Sequence, residues 1–151
     1  MDINQIESLI GSEIGLSDWV EVTQKNISAF AEISLDHNFI HINPEKAAQT
    51  DLGGTVAHGL YSLSLLPHFL ESVSIFQFRD NQMLLNYGFD KVRFLQPVLM
   101  GAKLRGRTRL LSVMEKAPNR VLVNTEITVE IEGEEKPALI AEWLTMTILN
   151  A

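Results

Sequence analysis

The stretch from Gly59 to Val73, GLYSLSLLPHFLESV, constrains the fold of this chain more than any other segment. Drawn as a helix, it is apolar nearly all round, which is typical of a buried helix. A long apolar helix must be covered on most sides, and a strongly curved antiparallel sheet wrapped around it meets that need. Pro67 lies inside the stretch. We therefore expect the helix to be kinked or divided in two, because proline lacks an amide hydrogen and clashes with the preceding turn.

The second half of the chain supplies strands for such a sheet. Between Arg120 and Glu132, apolar side chains alternate with polar ones, which is the pattern of a strand with one buried face. The connections are short, which favours antiparallel pairing. Since helices come first and long strands follow, the fold class is α+β. The predicted strands are Leu84–Phe94, Lys103–Met114, Arg120–Glu132 and Ala138–Leu149.

The first half of the chain is predicted to be mainly helical. Thr23 can cap a helix, and Asn43 followed by a proline and an acid is a strong helix-start signal. By contrast, the segment from Leu35 to Ile42 shows no helical period. The predicted elements are helices at Ile3–Ile10, at Gln24–Ser34 and from Asn43 to about Thr50, and a short strand at Trp19–Val22.

Composition limits the classes to which the chain can belong. Its 151 residues fit a single domain spanning residues 1–151. With 12 basic and 19 acidic residues and a formal charge of −7, it is a poor candidate for binding nucleic acid unaided. It has no cysteine, which excludes disulfides, thiolate metal sites and a cysteine nucleophile. No apolar run of about 18 residues and no signal peptide are recognisable, so we expect a cytoplasmic protein without a membrane partner.

Asp36 and His41 are the first candidates for catalysis. They stand five residues apart on a non-helical segment that leads into a helix. A carboxylate and an imidazole brought together on a loop can share one water and move a proton. On composition and spacing alone, the simpler explanation is a turn-closing Asp36 and a buried, satisfied His41.

His58 and Gly59 form the second candidate feature, because they lie where the apolar helix begins. A helix start offers unpaired N–H groups, and glycine lets a ligand approach the backbone closely. Such a place can hold a carbonyl oxygen that becomes negative. Taken alone, the favoured interpretation is that Gly59 only eases the entry of the chain into the helix.

Other chemical motifs are weak or absent. His37, His41 and Glu45 are spaced as metal ligands, but the segment is not convincingly helical, so no metal site is predicted. The chain has no glycine-rich phosphate loop and no serine in a nucleophile elbow. A basic stretch is a solvated face or, in a sharper interpretation, a surface for an anionic group such as a nucleotide phosphate. Its members are Lys91, Arg93, Lys103, Arg105, Arg107 and Arg109.

The run FAEISLDHNFIH, from Phe30 to His41, resembles the hydratase 2 motif of MaoC-like proteins, the (R)-specific enoyl-CoA hydratases. The chain departs from the family pattern at Leu35, where glycine is usual, and at Phe39, where proline is usual. The family also carries a His-Gly pair before its central helix, matched here by residues 58–59. Longer segments resemble the branch of the family that includes nodulation protein N, in which the glycine and proline are commonly relaxed. The matching motif positions are Phe30, Ile33, Ser34, Asp36, Asn38, Ile40, His41 and Ala47.

The resemblance implies a hot-dog fold, with a long central helix wrapped by a curved antiparallel sheet, and a homodimer. It implies an enoyl-CoA hydratase, a hydro-lyase of fatty acid metabolism, in which Asp36 and His41 activate water. The backbone N–H of Gly59 would bind the thioester carbonyl oxygen. No cofactor and no metal are expected, since the CoA thioester is itself the substrate. The residues expected to help to bind that substrate are Asn38, His58, Asn86, Tyr87, Gly88 and Arg93.

Several alternatives stay open. The chain could instead act as a dehydratase on an acyl-carrier-protein thioester, or bind acyl-CoA without catalysis; a thioesterase is a weaker possibility. In some relatives a serine of the central helix supports the acid, and its equivalent here is Pro67, with Ser62 and Ser64 nearby. A short-to-medium acyl chain is expected, because bulky side chains surround the expected end of the tunnel that would hold the acyl chain. These are Leu60, Leu63, Phe69 and Phe76.

Overall fold

The computed structural model describes residues 3–71, 73 and 83–148. Its helices are α1 Ile3–Glu7, α2 Gln24–Ser34, α3 Phe39–Ile42, α4 Pro44–Ala47, α5 Gly59–Ser64 and α6 Leu66–Glu71. Its strands are β1 Glu13–Leu16, β2 Val20–Glu21, β3 Met83–Phe94, β4 Lys103–Ala117, β5 Arg120–Ile131 and β6 Leu139–Ile148. The prediction of helices first and long strands afterwards is confirmed. Phe76 lies outside the described residues.

The six strands form one curved antiparallel sheet in the order β1-β4-β5-β6-β3, and β2 also pairs with β4. The alternation predicted for β5 is confirmed, because every second side chain from Val121 to Ile131 is buried. β3 lies at one edge, and among the described residues it pairs only with β6.

The buried face of the sheet packs against the helices. Phe69 and Leu70 of α6 are almost fully buried and belong to the same core cluster as Trp143 of β6. Gly106 of β4 allows this approach, since a Cβ atom there would lie only 2.6 Å from the Cβ atom of Phe69. The core therefore sits between α6 and the concave face of the sheet.

The apolar stretch that begins at Gly59 forms two helices, which confirms the predicted division. α5 ends at Ser64 and α6 begins at Leu66. Pro67 consequently occupies the first turn of α6, where its missing N–H leaves no hydrogen bond unmade. The prediction of a helix buried on nearly all sides was wrong for α5, because Leu60 is 61% exposed.

Local differences from the predictions have capping explanations. Residues 39–42 form the short helix α3 rather than a non-helical segment, because the Asn38 side chain accepts the Ile40 N–H and starts a turn. The cap at Thr23 is confirmed by the same kind of bond, to the Asn26 N–H. α4 starts after Asn43 as predicted but ends at Ala47, and α1 ends at Glu7.

Candidate active site

The turn after α2 sets the position of the Asp36 carboxylate. Leu35 ends α2 in the left-handed conformation, with φ at 61°. The Asn38 N–H then donates to Asp36 Oδ1 at 3.2 Å, which closes a local turn. The second carboxylate oxygen stays available, and the Asp36 side chain is 55% exposed. The Asp36 carboxylate is thus held by its own turn, and its second oxygen is accessible to solvent.

The His41 ring is oriented by the backbone of a distant segment. Its Nδ1–H donates to the carbonyl oxygen of Val56 at 2.7 Å, which assigns the proton to that nitrogen. Nε2 is therefore the nitrogen that faces Asp36, 3.9 Å from Oδ2. The ring is buried, with only 8% of the residue exposed.

The gap between Asp36 and His41 suits a shared water better than a direct bond. A distance of 3.9 Å is too long for a hydrogen bond between the two side chains. A water about 2.8 Å from each of them would bridge the gap. Asp36 can accept from this water, and the free Nε2 lone pair can accept from it as well. The arrangement can therefore polarise a water and take up its proton.

His58 completes the group from the other side. Its ring stacks on that of His41 with 3.7 Å between centroids and 24° between planes. Its Nε2–H donates to the backbone carbonyl oxygen of Asp36 at 3.0 Å. Phe30 of α2 packs on the outer side of the ring, 5.1 Å between centroids. His58 thus holds both the turn that carries Asp36 and the plane of the His41 ring.

Asp36, His41 and His58 also present three donor atoms within 4.8 Å of one another, the number that a metal ion would need. The stacked rings make a poor metal site, because each nitrogen lone pair lies in its own ring plane and the two planes are nearly parallel. Ligands of a tetrahedral zinc converge at about 2.0–2.1 Å from the ion. The geometry favours proton transfer over metal binding.

Gln24 supports the site, although no motif or spacing in the sequence indicated it. Its side-chain amide donates to the His41 carbonyl oxygen at 2.7 Å and accepts from the Thr55 hydroxyl. It thereby ties the first turn of α2 to the two segments that carry His41 and Val56. These partners lie 17 and 31 residues away along the chain. Only the folded arrangement brings them together.

Gly59 lies beside a cavity of about 350 Å³. As the first residue of α5, it has an N–H without an intrahelical partner. The Phe94 ring stands against Gly59, since a Cβ there would lie 3.0 Å from two ring atoms. The cavity is lined by Ala57, Gly59, Ser62, Phe94, Leu95, Gln96, Pro97, Val98, Ala138 and Leu139.

The other predicted substrate-binding residues are not brought to the Asp36 group. Asn86, Tyr87, Gly88 and Arg93 all lie on β3, the edge strand. Among the described residues, no hydrogen bond or ion pair joins them to the acid or to either imidazole. Asn86 helps to line a second cavity of about 370 Å³, together with Leu60 and other side chains of the helix pair. Asn38, by contrast, belongs to the turn that holds Asp36, because its N–H donates to Asp36 Oδ1.

The basic stretch is largely neutralised by carboxylates across the sheet. Arg105 and Arg107 both donate to Glu130, at 2.6 and 2.7 Å. Partial burial raises the pKa of Glu130, but the hydrogen bonds from Arg107 and Arg105 and the positive charges of both arginines together lower it by more, so the pKa lies below its ordinary value. Lys91 and Lys103 face Glu142 and Glu132. The geometry therefore favours a solvated, paired face over a surface for an anion.

No helix in the described part of the chain is both long and apolar enough to cross a membrane.

Comparisons with known proteins agree with this fold. The family described as MaoC like domain matches residues 5–136. Nodulation protein N of Rhizobium leguminosarum bv. viciae is 42% identical over 147 residues, covering 97% of this chain and 91% of that protein. The 3-hydroxyacyl-thioester dehydratase Z of Mycobacterium tuberculosis is 36% identical over 140 residues, covering 93% of this chain and 91% of that protein.

The likeness extends to solved structures. R-Hydratase PhaJ1 from Pseudomonas aeruginosa, at 22% identity, superposes with a TM-score of 0.68 and covers 94% of this chain and 87% of that one. At this identity the likeness concerns the fold, and it confirms the hot-dog fold that the sequence predicts.

Proposed function

This chain belongs to the MaoC-like domain family, and on that premise we propose that it is an (R)-specific enoyl-CoA hydratase. It would add water to a trans-2-enoyl-CoA to give an (R)-3-hydroxyacyl-CoA, and it would catalyse the reverse dehydration. Such an enzyme is a lyase of fatty acid metabolism. The observation that carries the proposal is the 3.9 Å gap between Asp36 Oδ2 and His41 Nε2, which fits one shared water.

The proposed reaction uses only groups of the chain and its substrate. The water oxygen forms a bond to C3 while Asp36 or His41 takes one of its protons. The electron pair of the C2–C3 double bond moves toward the thioester, whose carbonyl oxygen becomes negative beside the Gly59 N–H. Asp36 and His41 then return a proton to C2, so that one water is added overall. No metal and no further cofactor take part.

We also propose a homodimer, on the basis of β3. The outer edge of this strand has no partner among the described residues, and an open edge is a template for pairing with a second chain. Its exposed large apolar side chains are Met83, Leu85, Tyr87, Phe89 and Phe94. A second copy would cover them and extend the sheet.

The carrier-protein dehydratase shares all of these residues and remains the principal alternative. An acidic carrier would dock best on an unpaired basic patch. Four of the six basic residues singled out in the sequence are instead paired with carboxylates, so this stretch favours neither an acidic carrier nor the phosphates of CoA. The choice of CoA rests on the resemblance of the motif at residues 30–41 to that of the enoyl-CoA hydratases. A binding module without catalysis fits less well, because Asp36 and His41 face one another.

The decisive experiment measures the loss of enoyl-thioester absorbance when the purified protein meets crotonyl-CoA. The wild type should give the (R)-3-hydroxy product. Asp36→Asn should lower kcat by about 10²–10⁴-fold, because the amide cannot take up the proton. His37→Asn is the matched control: its ring lies outside the group, bonded to Glu32, and activity should be unchanged. A folded wild type inactive on crotonyl-, hexenoyl- and longer enoyl-CoA would refute the proposal.

A further inference from the structure

Ser62 carries a buried hydroxyl that the fold leaves without a partner. Only 2% of the residue is exposed, and its Oγ atom makes no hydrogen bond within the described part of the chain. The neighbouring Ser64 differs, since its hydroxyl donates to the Tyr61 carbonyl oxygen at 2.7 Å. An unpaired buried hydroxyl is unfavourable and uncommon in folded proteins. A partner from outside the chain would resolve it.

Ser62 is also placed next to the predicted thioester site. It follows Gly59 by three residues on α5, so the two residues share a helix face. Side chains on a helix lean toward its N-terminus, and the Ser62 side chain therefore covers the turn that contains Gly59. Both residues line the cavity of about 350 Å³. Rotation about the Cα–Cβ bond between staggered positions can turn the hydroxyl to that cavity.

The rest of the lining indicates the class of ligand. Apolar side chains make up most of the wall, among them Phe94, Pro97, Val98 and Leu139. The one other polar side chain in the lining, Gln96, already donates to the Lys136 carbonyl oxygen. A ligand that fits is mainly apolar and has one hydrogen-bond acceptor near Gly59. The acyl group of a thioester, with its single carbonyl oxygen, has this composition.

We propose that the Ser62 hydroxyl donates a hydrogen bond to the carbonyl oxygen of the bound acyl thioester, beside the N–H of Gly59. Two donors then share the charge that develops on this oxygen during hydration, which is how preorganised donors accelerate such reactions. The assignment rests on the proposed function, because it presupposes a thioester substrate. It makes Ser62 a substrate-binding residue, not a support for Asp36, with which it shares no hydrogen bond.

The competing explanation is internal. His58 Nδ1 is also buried and unpaired, and it belongs to the residue four positions before Ser62. If the Ser62 hydroxyl bonded only to His58, its role would be structural, and its removal would not distinguish ligands with a carbonyl oxygen from ligands without one. The test therefore needs two ligands that differ in that oxygen alone.

Butyryl-CoA, which has no double bond to hydrate, and S-butyl-CoA, the thioether without the carbonyl oxygen, are such a pair. Calorimetric titration of wild type and Ser62→Ala should show about tenfold weaker binding of butyryl-CoA in the variant. Binding of S-butyl-CoA should change by less than about twofold. Ser64→Ala, the matched control on the other face, should bind both ligands as the wild type does, and Ser62→Thr, which keeps the hydroxyl, should restore the discrimination.

The hydration assay separates this inference from the proposed function. Ser62→Ala should lower kcat on crotonyl-CoA by about 10–100-fold, since the second donor acts most strongly on the charged oxygen. An active wild type whose Ser62→Ala variant loses affinity equally for both ligands, or for neither, overturns the role of Ser62 alone. A wild type that binds butyryl-CoA no better than S-butyl-CoA overturns it too. Should Ser62→Ala not fold, Ser62→Val against Ser62→Thr makes the same comparison at nearly equal volume.

Discussion

Leu35 adopts a backbone conformation that leucine rarely occupies. Its φ of 61° lies in the left-handed region, where a Cβ atom crowds the following carbonyl oxygen. Its side chain is 78% exposed, so little packing compensates. Glycine is usual at this position in the motif that the chain resembles, and here the turn is made with leucine. The turn at Asp36 is therefore made at the expense of some stability.

We expect Leu35→Gly to stabilise the protein. Removal of Cβ relieves about 1–2 kcal/mol of left-handed strain, and the greater freedom of glycine in the unfolded chain offsets part of this. The net gain should raise Tm by about 1–3 °C, measured by thermal unfolding.

Asn119→Gly is the matched control for Leu35→Gly. Asn119 has a φ of 63° in the turn between β4 and β5, but asparagine tolerates this region well. Its gain should be smaller, and a Leu35→Gly variant no more stable than wild type would contradict the strain at that position.

The residues of the site differ in how far the sequence reveals them. Asp36 and His41 stand in a motif, and the structure brings them face to face. Gln24 could not be predicted, because its partners are the His41 carbonyl oxygen and Thr55, groups that approach only after α2 packs. The role of His58 as a stacking partner depends likewise on long-range packing. A local sequence pattern can therefore predict the reactive groups, whereas the residues that position these groups depend on tertiary packing.

At the level of the elements, β4 and β5 are joined by a charged cluster on the solvent side of the sheet. Glu130 lies opposite Arg105 in the register and also accepts from Arg107. Arg107 reaches a second carboxylate, Glu13 on β1, at 2.7 Å. Three strands are therefore linked through one guanidinium group.

This cluster should make stability depend on pH. The pKa of Glu130 is lowered in the folded state, because the hydrogen bonds and the positive charges of the two arginines together outweigh the effect of burial. The unfolded chain therefore binds the proton more readily, and the stabilisation is present above the ordinary glutamate pKa of about 4.3 and lost as pH falls below it. Glu130→Gln should lower Tm by about 2–4 °C at pH 7, and the difference should shrink toward pH 3.

Glu132→Gln provides the control for the charged cluster. Its carboxylate pairs with Lys103 at 3.2 Å, but both side chains are about half exposed, so the pair contributes little. A difference in Tm between wild type and Glu130→Gln that is the same at pH 7 and pH 3 would show that the carboxylate's charge is not its source.

The elements were easier to predict when they were long. β5 follows from alternation, since burial of one face repeats along the whole strand. β3 was also predicted, although its side chains show no such repeat and are mostly exposed. The break between α5 and α6 follows from the chemistry of proline. The short helix α3 was missed, because four residues show no period and form a turn only through the Asn38 cap.

At the level of the whole molecule, the open edge at β3 is the largest feature that one chain leaves unexplained. Leu85 and Tyr87 are 47% and 60% exposed on this strand. Lysine on an edge strand opposes pairing with a second chain. We expect Leu85→Lys combined with Tyr87→Lys to convert a dimer into a monomer, measured as molar mass by light scattering.

Met114→Lys is the matched control for this edge. Met114 is 52% exposed but lies on β4, opposite Leu122 of β5, and two strands separate β4 from the β3 edge. Its substitution should leave the molar mass unchanged. A wild type that has the mass of one chain at micromolar concentration would refute the homodimer.

The sequence predicted the class of fold but not the cavities. Apolar and polar patterns determine which faces are buried, and these faces determine that a sheet wraps a helix. Cavity shape depends on where single side chains such as Phe94 come to rest. The expected tunnel-end residues illustrate this: Leu60 and Leu63 line the second cavity, whereas Phe69 lies in the core.

The acid with its two imidazoles and the cavity wall come from different parts of the chain. The acid and the two imidazoles belong to residues 36–58, whereas most of the cavity wall belongs to residues 94–98 and 138–139. Substitutions in the wall change the volume without removing any hydrogen bond of Asp36, His41 or His58. Under the proposed function, acyl preference can therefore change by substitution in the wall while the acid and the imidazoles stay in place, and a library confined to the wall is a direct route to a new acyl specificity.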